Sequence, residues 1–301
     1  MYSIKPVRFA LPLHKTSDVD FKSVLTLFAH EPSSVLIETF PRSGSTVILS
    51  NLALANLKVH TDYKKLNVNS IRQHLTPKKQ LSDYQERVML VRDPVERLES
   101  FYLTKLVVGE PKSVVAVGEL IHKGLAKYPI TYFKKLKGFF SSKENYDLDK
   151  LISSALFDSA LIGAILETKK LVLNLSFDDM VHLFVEFGLP RDSHVYPQYE
   201  MKTFRLAEYS KIFNLRRFPD FVDWYEEKTG NSFSTKYNKT QPNNRLHLEK
   251  FPAHEAMKVI ELQDFLSKNM TPMLGSISSK STKKLIQKLF SRDYDMHLLS
   301  S

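Results

Sequence analysis

A chain of 301 residues with 43% hydrophobic content can bury a full core, as one large α/β domain or two small ones, and its 43 Lys and Arg against 33 Asp and Glu leave a net charge of +10. There is no cysteine, which excludes a disulfide framework and any thiolate metal site. The positive surplus favours polyanionic partners, but no zinc-finger spacing, RNP-like aromatic motif or basic arm is present, so a nucleic-acid module is not expected.

The first residues, MYSIKPVRFALPLHK, lack the sustained apolar core of a signal peptide, and the longest apolar runs fall short of a bilayer span, so a soluble, cytoplasmic protein with no transmembrane segment is expected. Ser34 to Ala55, SVLIETFPRSGSTVILSNLALA, then passes from a strand-like run to a short polar loop and on to an amphipathic helix. Val35, Leu36, Ile37 and Phe40 give strand character, Pro41 ends it, and Gly44 allows a tight turn between Ser43 and Ser45. The unpaired N–H groups of the first helical turn, the helix dipole, the hydroxyls of Ser43, Ser45 and Thr46, and Arg42 converge there as an anion cradle. A nucleoside-triphosphate loop needs G-x-x-x-x-G-K-[ST]; this one has a single glycine and no such lysine, which suits one phosphate carrying a leaving group. Read alone, the same segment is also an ordinary capped helix.

No Pro/Gly/Ser-rich linker divides the chain, and the nearest candidate breaks are the polar turns at Asn67 to Lys79 and Gly138 to Asn145, so residues 1–301 are read as one domain. Glu86 to Tyr102, ERVMLVRDPVERLESFY, repeats the strand-to-helix pattern: Val88 to Val91 is a buried strand, Arg92 stands at its carboxyl end, and Pro94 opens a helix. Ser100 follows Arg92 by eight residues, and a guanidinium with a hydroxyl can hold a second phosphate if the strand end bends back over the helix. Arg97 and Lys105 are read as solvated charges. Leu171 to Phe177 reads as a third strand, leading into Asp178, Asp179 and a helix closing at Gly188 and Pro190. Ser278 to Leu289 has the pattern of a basic amphipathic helix, read as a solvated terminal helix with one core face.

The two loop segments together resemble the sulfotransferase superfamily that uses 3′-phosphoadenosine 5′-phosphosulfate (PAPS). The family's 5′-phosphosulfate loop, T-x-P-[KR]-S-G-[ST]-T, is similar to Thr39 through Thr46 at every place, and its 3′-phosphate motif, R-D-P-x-x-R-L-x-S-x-Y, is similar to Arg92, Asp93, Pro94, Arg97, Leu98, Ser100 and Tyr102. His194-Val-Tyr-Pro-Gln198 resembles the H-x-x-P-Q stretch of the glycan-modifying branches, and Arg292 to Asp295 resembles their Y-x-x-D-Y close. The resemblance implies a single α/β domain, a central parallel β-sheet flanked by helices with a P-loop-like strand-loop-helix for PAPS. It further implies sulfuryl transfer from PAPS, with 3′,5′-bisphosphate (PAP) as product and no metal, to a hydroxyl of a carbohydrate or glycoconjugate. A small-molecule or protein-tyrosine acceptor, or a non-catalytic nucleotide or polyanion binder, is the alternative.

On this resemblance Arg42, Ser43, Gly44, Ser45, Thr46, Arg92 and Ser100 bind the donor, and Arg42 also meets the charge that grows on the departing 5′-phosphate, keeping its proton throughout. The proton of the acceptor needs a base. His74, eighteen positions before Arg92, lies close to where histidine-base relatives place theirs; His60 and Asp62 lie nearer to the place of a carboxylate base, and His194 can bind the acceptor instead. Relatives draw one more cation for the 3′-phosphate from a later loop, where Lys236, Lys239 and Arg245 are available.

Overall fold

The structure is a computed structural model, which describes residues 27–41, 43, 45–57, 75, 77–125, 159–190, 192–234, 244–246, 248, 254–268 and 270–300. Strands β1 (Leu27–His30) and β2 (Val35–Thr39) are joined by a short turn at Glu31 to Ser34 and pair antiparallel. Helix α1 (Ser45–Leu57) leaves β2 after the polar loop, and β3 (Glu86–Val91) returns parallel to β2, with Thr39 opposite Leu90. Helix α2 (Pro94–Phe101) follows β3 almost at once, because Asp93 accepts from the N–H groups of Val95 (2.9 Å) and Glu96 (3.2 Å) while Pro94 fills a first-turn position that needs no donor. The chain goes on as a π-helical segment, Tyr102–Val107, and then as α3 (Pro111–Leu125), α4 (Ser159–Leu173), α5 (Phe177–Phe187) and the short α6 (Gln198–Met201). Strand β4 (Lys211–Asn214) completes the sheet parallel to β3, in the order β1-β2-β3-β4. Helix α7 (Phe218–Thr229), strand β5 (Asn244–Leu246), helix α8 (Val259–Ser267), strand β6 (Met270–Pro272), and helices α9 (Lys280–Leu289) and α10 (Ser291–Leu298) end the fold, with β5 and β6 forming a separate parallel pair.

The expected α/β architecture is present, with an antiparallel edge strand added to the parallel set. Val35, Ile37, Val88 and Leu90 face one side of the sheet, against Ile48 and Leu52 of α1 and Phe221 and Trp224 of α7. Met89 and Val91 face the other, against Phe40, Tyr209 and Met296. Apolar cover on both faces is why Val35 to Ile37 of β2 and Val88 to Val91 of β3 are continuous hydrophobic runs. Glu38 interrupts β2 and is fully buried, where it accepts from the Tyr209 hydroxyl, the Thr203 N–H (2.9 Å) and the Thr203 hydroxyl (2.8 Å). A second core gathers α2, α3, α5, α8 and α9 around Phe101, Tyr102, Phe177, Phe184 and Ile286.

Two sequence expectations are corrected. Leu171 to Phe177 is not a strand: Leu171 to Leu173 form the last turn of α4, and Ser176 caps α5 in a reciprocal capping box with Asp179. The run is β-branched and aromatic enough for a strand, but it continues the helical periodicity from Ser159, and the strand that pairs with β3 comes later, at β4. Arg97 is not a solvated charge but is buried, with 1% exposure. The helix α5 was read correctly through its close at Gly188, and α9 buries Thr282 and Ile286 while its lysines at 280, 284 and 288 stay exposed. Among the described residues, no helix is long and apolar enough to cross a membrane.

Candidate active site

The parallel register decides where the two loops lie. Two residues beyond the paired Thr39 and Leu90 come Pro41 and Arg92, so both segments leave the same carboxyl edge of the sheet, side by side. The cradle loop is pinned from within: the Thr39 hydroxyl donates to the Ser43 carbonyl (2.8 Å) and the Ser43 N–H to the Phe40 carbonyl (2.9 Å). Helix α1 begins at Ser45, which aims its first-turn N–H groups and positive dipole end at this edge. Ser43 is fully buried, and its hydroxyl donates to Oε1 of Gln198 (3.1 Å).

Gln198 reaches across to the second loop as well. Its Oε1 accepts from the Arg92 N–H (3.0 Å), and its Nε2 donates to the Arg92 carbonyl (2.8 Å). One fully buried amide therefore ties Ser43 to both backbone groups of Arg92. Its own main chain is held by Asp293, whose carboxylate accepts from the N–H groups of Gln198 (2.8 Å) and Tyr199 (2.9 Å). Asp293 lies 4.0 Å from Arg97, which donates to the carbonyls of Pro41 (3.3 Å) and Ser193 (3.4 Å). Burial lowers the Arg97 guanidinium to about 10, against the pull of Asp293, so it stays charged at neutral pH. Burial raises the Asp293 carboxyl, which Arg97 and the two N–H donors oppose.

The Arg92 side chain lies along α2. Its Nε is 3.7 Å from Glu96, and Glu99, the neighbour of Ser100, lies within its charge field. Burial is the main influence on this guanidinium and pulls its pKa down, with the carboxylates opposing. Ser100 is buried near the end of α2, its carbonyl accepting from the Thr104 hydroxyl (2.6 Å). Arg92 thus stands at the strand end with its side chain along α2, the helix that carries Ser100. Arg216, just after β4, closes the edge: its Nε donates to Glu96 (2.7 Å), and its Nη2 is 3.5 Å from Asp93.

An imidazole also stands here. His194 Nδ1 is 2.6 Å from Asp192 Oδ1, and Asp192 accepts from the His194 N–H (2.9 Å) and from the Ser113 hydroxyl of α3 (2.6 Å). Burial works to raise the Asp192 carboxyl, but His194 and Ser113 outweigh it and bring it to about 2. The next residue back, Ser193, is the one whose carbonyl Arg97 holds, so this pair and the cradle loop share one arginine.

Of the sequence candidates, the structure brings together Ser43 and Arg92 through Gln198, with α1 starting at Ser45 and Thr46 and Ser100 buried in α2. Arg42, Gly44, His60, Asp62, His74, Lys236 and Lys239 lie outside the described residues, as do the side chains of Ser45, Thr46 and Arg245. The sequence reading missed the roles of Arg97, Asp192, Gln198 and Asp293. The signal for the last two was their place in the weak H-x-x-P-Q and terminal resemblances, whose shared function only the fold reveals. Among the described residues, no group of three or more His, Asp or Glu is placed to hold a metal ion.

A family model described as the Sulfotransferase family matches residues 27–298. No curated protein and no solved structure matches the chain.

Proposed function

Because this chain belongs to the sulfotransferase family, enzymes that move a sulfuryl group from PAPS and release PAP, we propose that it sulfates a hydroxyl of a carbohydrate or glycoconjugate. The observation that carries the reading is the shared edge: the cradle loop after β2 and Arg92 after β3 stand side by side and are joined by Gln198. An adenosine with a 5′-phosphosulfate on one loop and a 3′-phosphate on the other spans that pair. The H-x-x-P-Q and terminal segments, which favour a glycan acceptor by resemblance, supply Gln198 and Asp293 to the same place.

Each residue then has a task. Arg42, the first N–H groups of α1, Ser45 and Thr46 hold the 5′-phosphosulfate and stabilise the charge that develops on the bridging oxygen. Ser43 and Gly44 shape the loop, Ser43 through its bond to Gln198. Arg92 and Ser100 take the 3′-phosphate, with a cation from Lys236, Lys239 or Arg245. Proton removal from the acceptor falls to His74, His60 or Asp62 by position, or to His194, whose Nδ1 is held by Asp192 in the arrangement that orients an imidazole as a base. We place the whole reaction in one domain, residues 1–301, in the cytoplasm.

The test is thermal and then chemical. PAP is expected to raise the melting temperature where ATP with magnesium does not, and labelled sulfate from PAPS is expected to appear on members of a glycan panel. Equal stabilisation by ATP would overturn the donor assignment. Transfer confined to phenols or tyrosyl peptides would replace the acceptor class. Separate changes of His74, His60, Asp62 and His194, read by single-turnover sulfation, identify the base by a loss of about a hundredfold or more at unchanged PAP affinity.

A further inference from the structure

We propose that Gln198 is a positioning residue: it fixes the separation of the two phosphate-binding loops and so makes them act on one ligand as a unit. The inference rests on the PAPS reading above and adds to it a part for a residue that touches neither phosphate.

The chemistry of the side chain fits the task. A primary amide offers an oxygen that accepts twice and an NH₂ that donates twice, and Gln198 spends three of these four capacities on the two loops: Ser43 O–H and Arg92 N–H into Oε1, Nε2 into the Arg92 carbonyl. The ladder to β4 has its last pair at Val91 opposite Asn214, and the next N–H and carbonyl of β3, those of Arg92, are met by Gln198. Gln198 continues the ladder for one residue with a side chain, and spends its remaining reach on the neighbouring loop.

The amide is itself held from behind. Asp293 accepts from the Gln198 and Tyr199 N–H groups, Arg97 balances Asp293, and Arg97 returns to the carbonyl of Pro41 in the cradle loop. The circuit from Pro41 through Arg97, Asp293 and Gln198 to Ser43 and Arg92 is closed, and its members Arg97, Asp293, Gln198 and Ser43 are each at most 1% exposed. In such a buried network each member limits the motion of the next. A ligand with two phosphates gains from a fixed separation, because the second grip then costs little further ordering; a ligand with one phosphate gains nothing from it.

The experiment uses the full chain, as wild type and as Gln198→Met, which keeps the length and removes the three bonds. Binding of PAP, adenosine 5′-phosphate and adenosine 3′-phosphate is measured by titration calorimetry. We expect Q198M to weaken PAP about tenfold and each monophosphate by no more than about twofold. Equal weakening of all three, or an unchanged PAP affinity, overturns the proposal and leaves the donor reading intact. A wild-type chain that binds PAP no better than the monophosphates overturns the donor reading, and the positioning role with it. If Q198M shows no cooperative melt, Gln198→Asn, which keeps a buried amide but withdraws it by one methylene, carries the same comparison with the same expected asymmetry.

Discussion

Arg97 sits where an exposed helical arginine is expected by pattern, yet its side chain is buried, and its charge is met by a carboxylate from the last helix. Removing one member of a buried ion pair leaves the other charged without compensation, so Arg97→Met is expected to lower unfolding free energy by about 3–5 kcal/mol, measured by urea denaturation. Arg97→Met with Asp293→Asn together should cost less than the sum of the two single changes, since neither then strands a charge. The histidines give a separate, pH-dependent test. Burial lowers the pKa of both His30 and His297 from the ordinary value of 6.5, against the pull of Glu31 on the first; His297 is also raised by Asp93 and Glu96 and lowered by Arg216. The fold prefers both rings neutral while the unfolded chain takes up protons near 6.5, so their contribution is full above about pH 6.5 and is lost as the pH falls below it. The melting temperature should drop between pH 7.5 and 5.5, and His30→Asn with His297→Asn should flatten that slope. None of these roles is legible in the sequence: a charge looks the same on paper whether its partner is in solvent or is an aspartate brought in by the last helix.

Elements were more legible where one local signal sufficed. The strands β2 and β3 and the start of α2 declare themselves through contiguous apolar runs, Pro41, and the Asp93-Pro94 cap. The strands β1 and β4 have four residues each, too few for a periodicity to stand out, and they are made strands by the neighbours they pair with. The loop at Gly275 is another feature set from afar. Its φ of +89° requires a glycine, and its N–H, with the Ser278 N–H (3.1 Å) and hydroxyl (2.7 Å), donates to the buried Glu99 of α2. The contact of α3 with α4 yields a sharper prediction. At Gly118 a Cβ would fall 2.2 Å from Cγ2 of Thr168, whose hydroxyl lies 3.1 Å from Nε2 of His122. Gly118→Ala is therefore expected to destabilise by about 1–3 kcal/mol despite its better helix propensity. Adding Thr168→Ser, which deletes the offending methyl and keeps the hydroxyl, should recover most of the loss in a chemical denaturation series.

At the scale of the molecule, the sheet with the apolar clusters on its faces and the helical core form two parts, and the question is whether they unfold as one. Helix α2 argues that they do. It leaves β3 directly, sends Val95, Leu98 and Phe101 into the helical core, and holds the cradle loop through Arg97. Tyr102, just after it, donates to the Leu175 carbonyl (2.9 Å). The last helix closes the other side, placing Met296 under the sheet with Met89 and Val91 while Asp293 holds Gln198. Neither part can come apart without exposing buried charge from the other, which is the condition for one cooperative transition. The single tryptophan, Trp224, is packed against Phe213 and Phe221 on the α1 and α7 face of the sheet and so reports on that cluster alone, whereas far-ultraviolet circular dichroism is dominated by the helices. Urea unfolding followed by the two signals is expected to give superimposable curves with one midpoint. Midpoints separated beyond error would mean two folding units in place of one domain, with the donor edge lying on the seam between them.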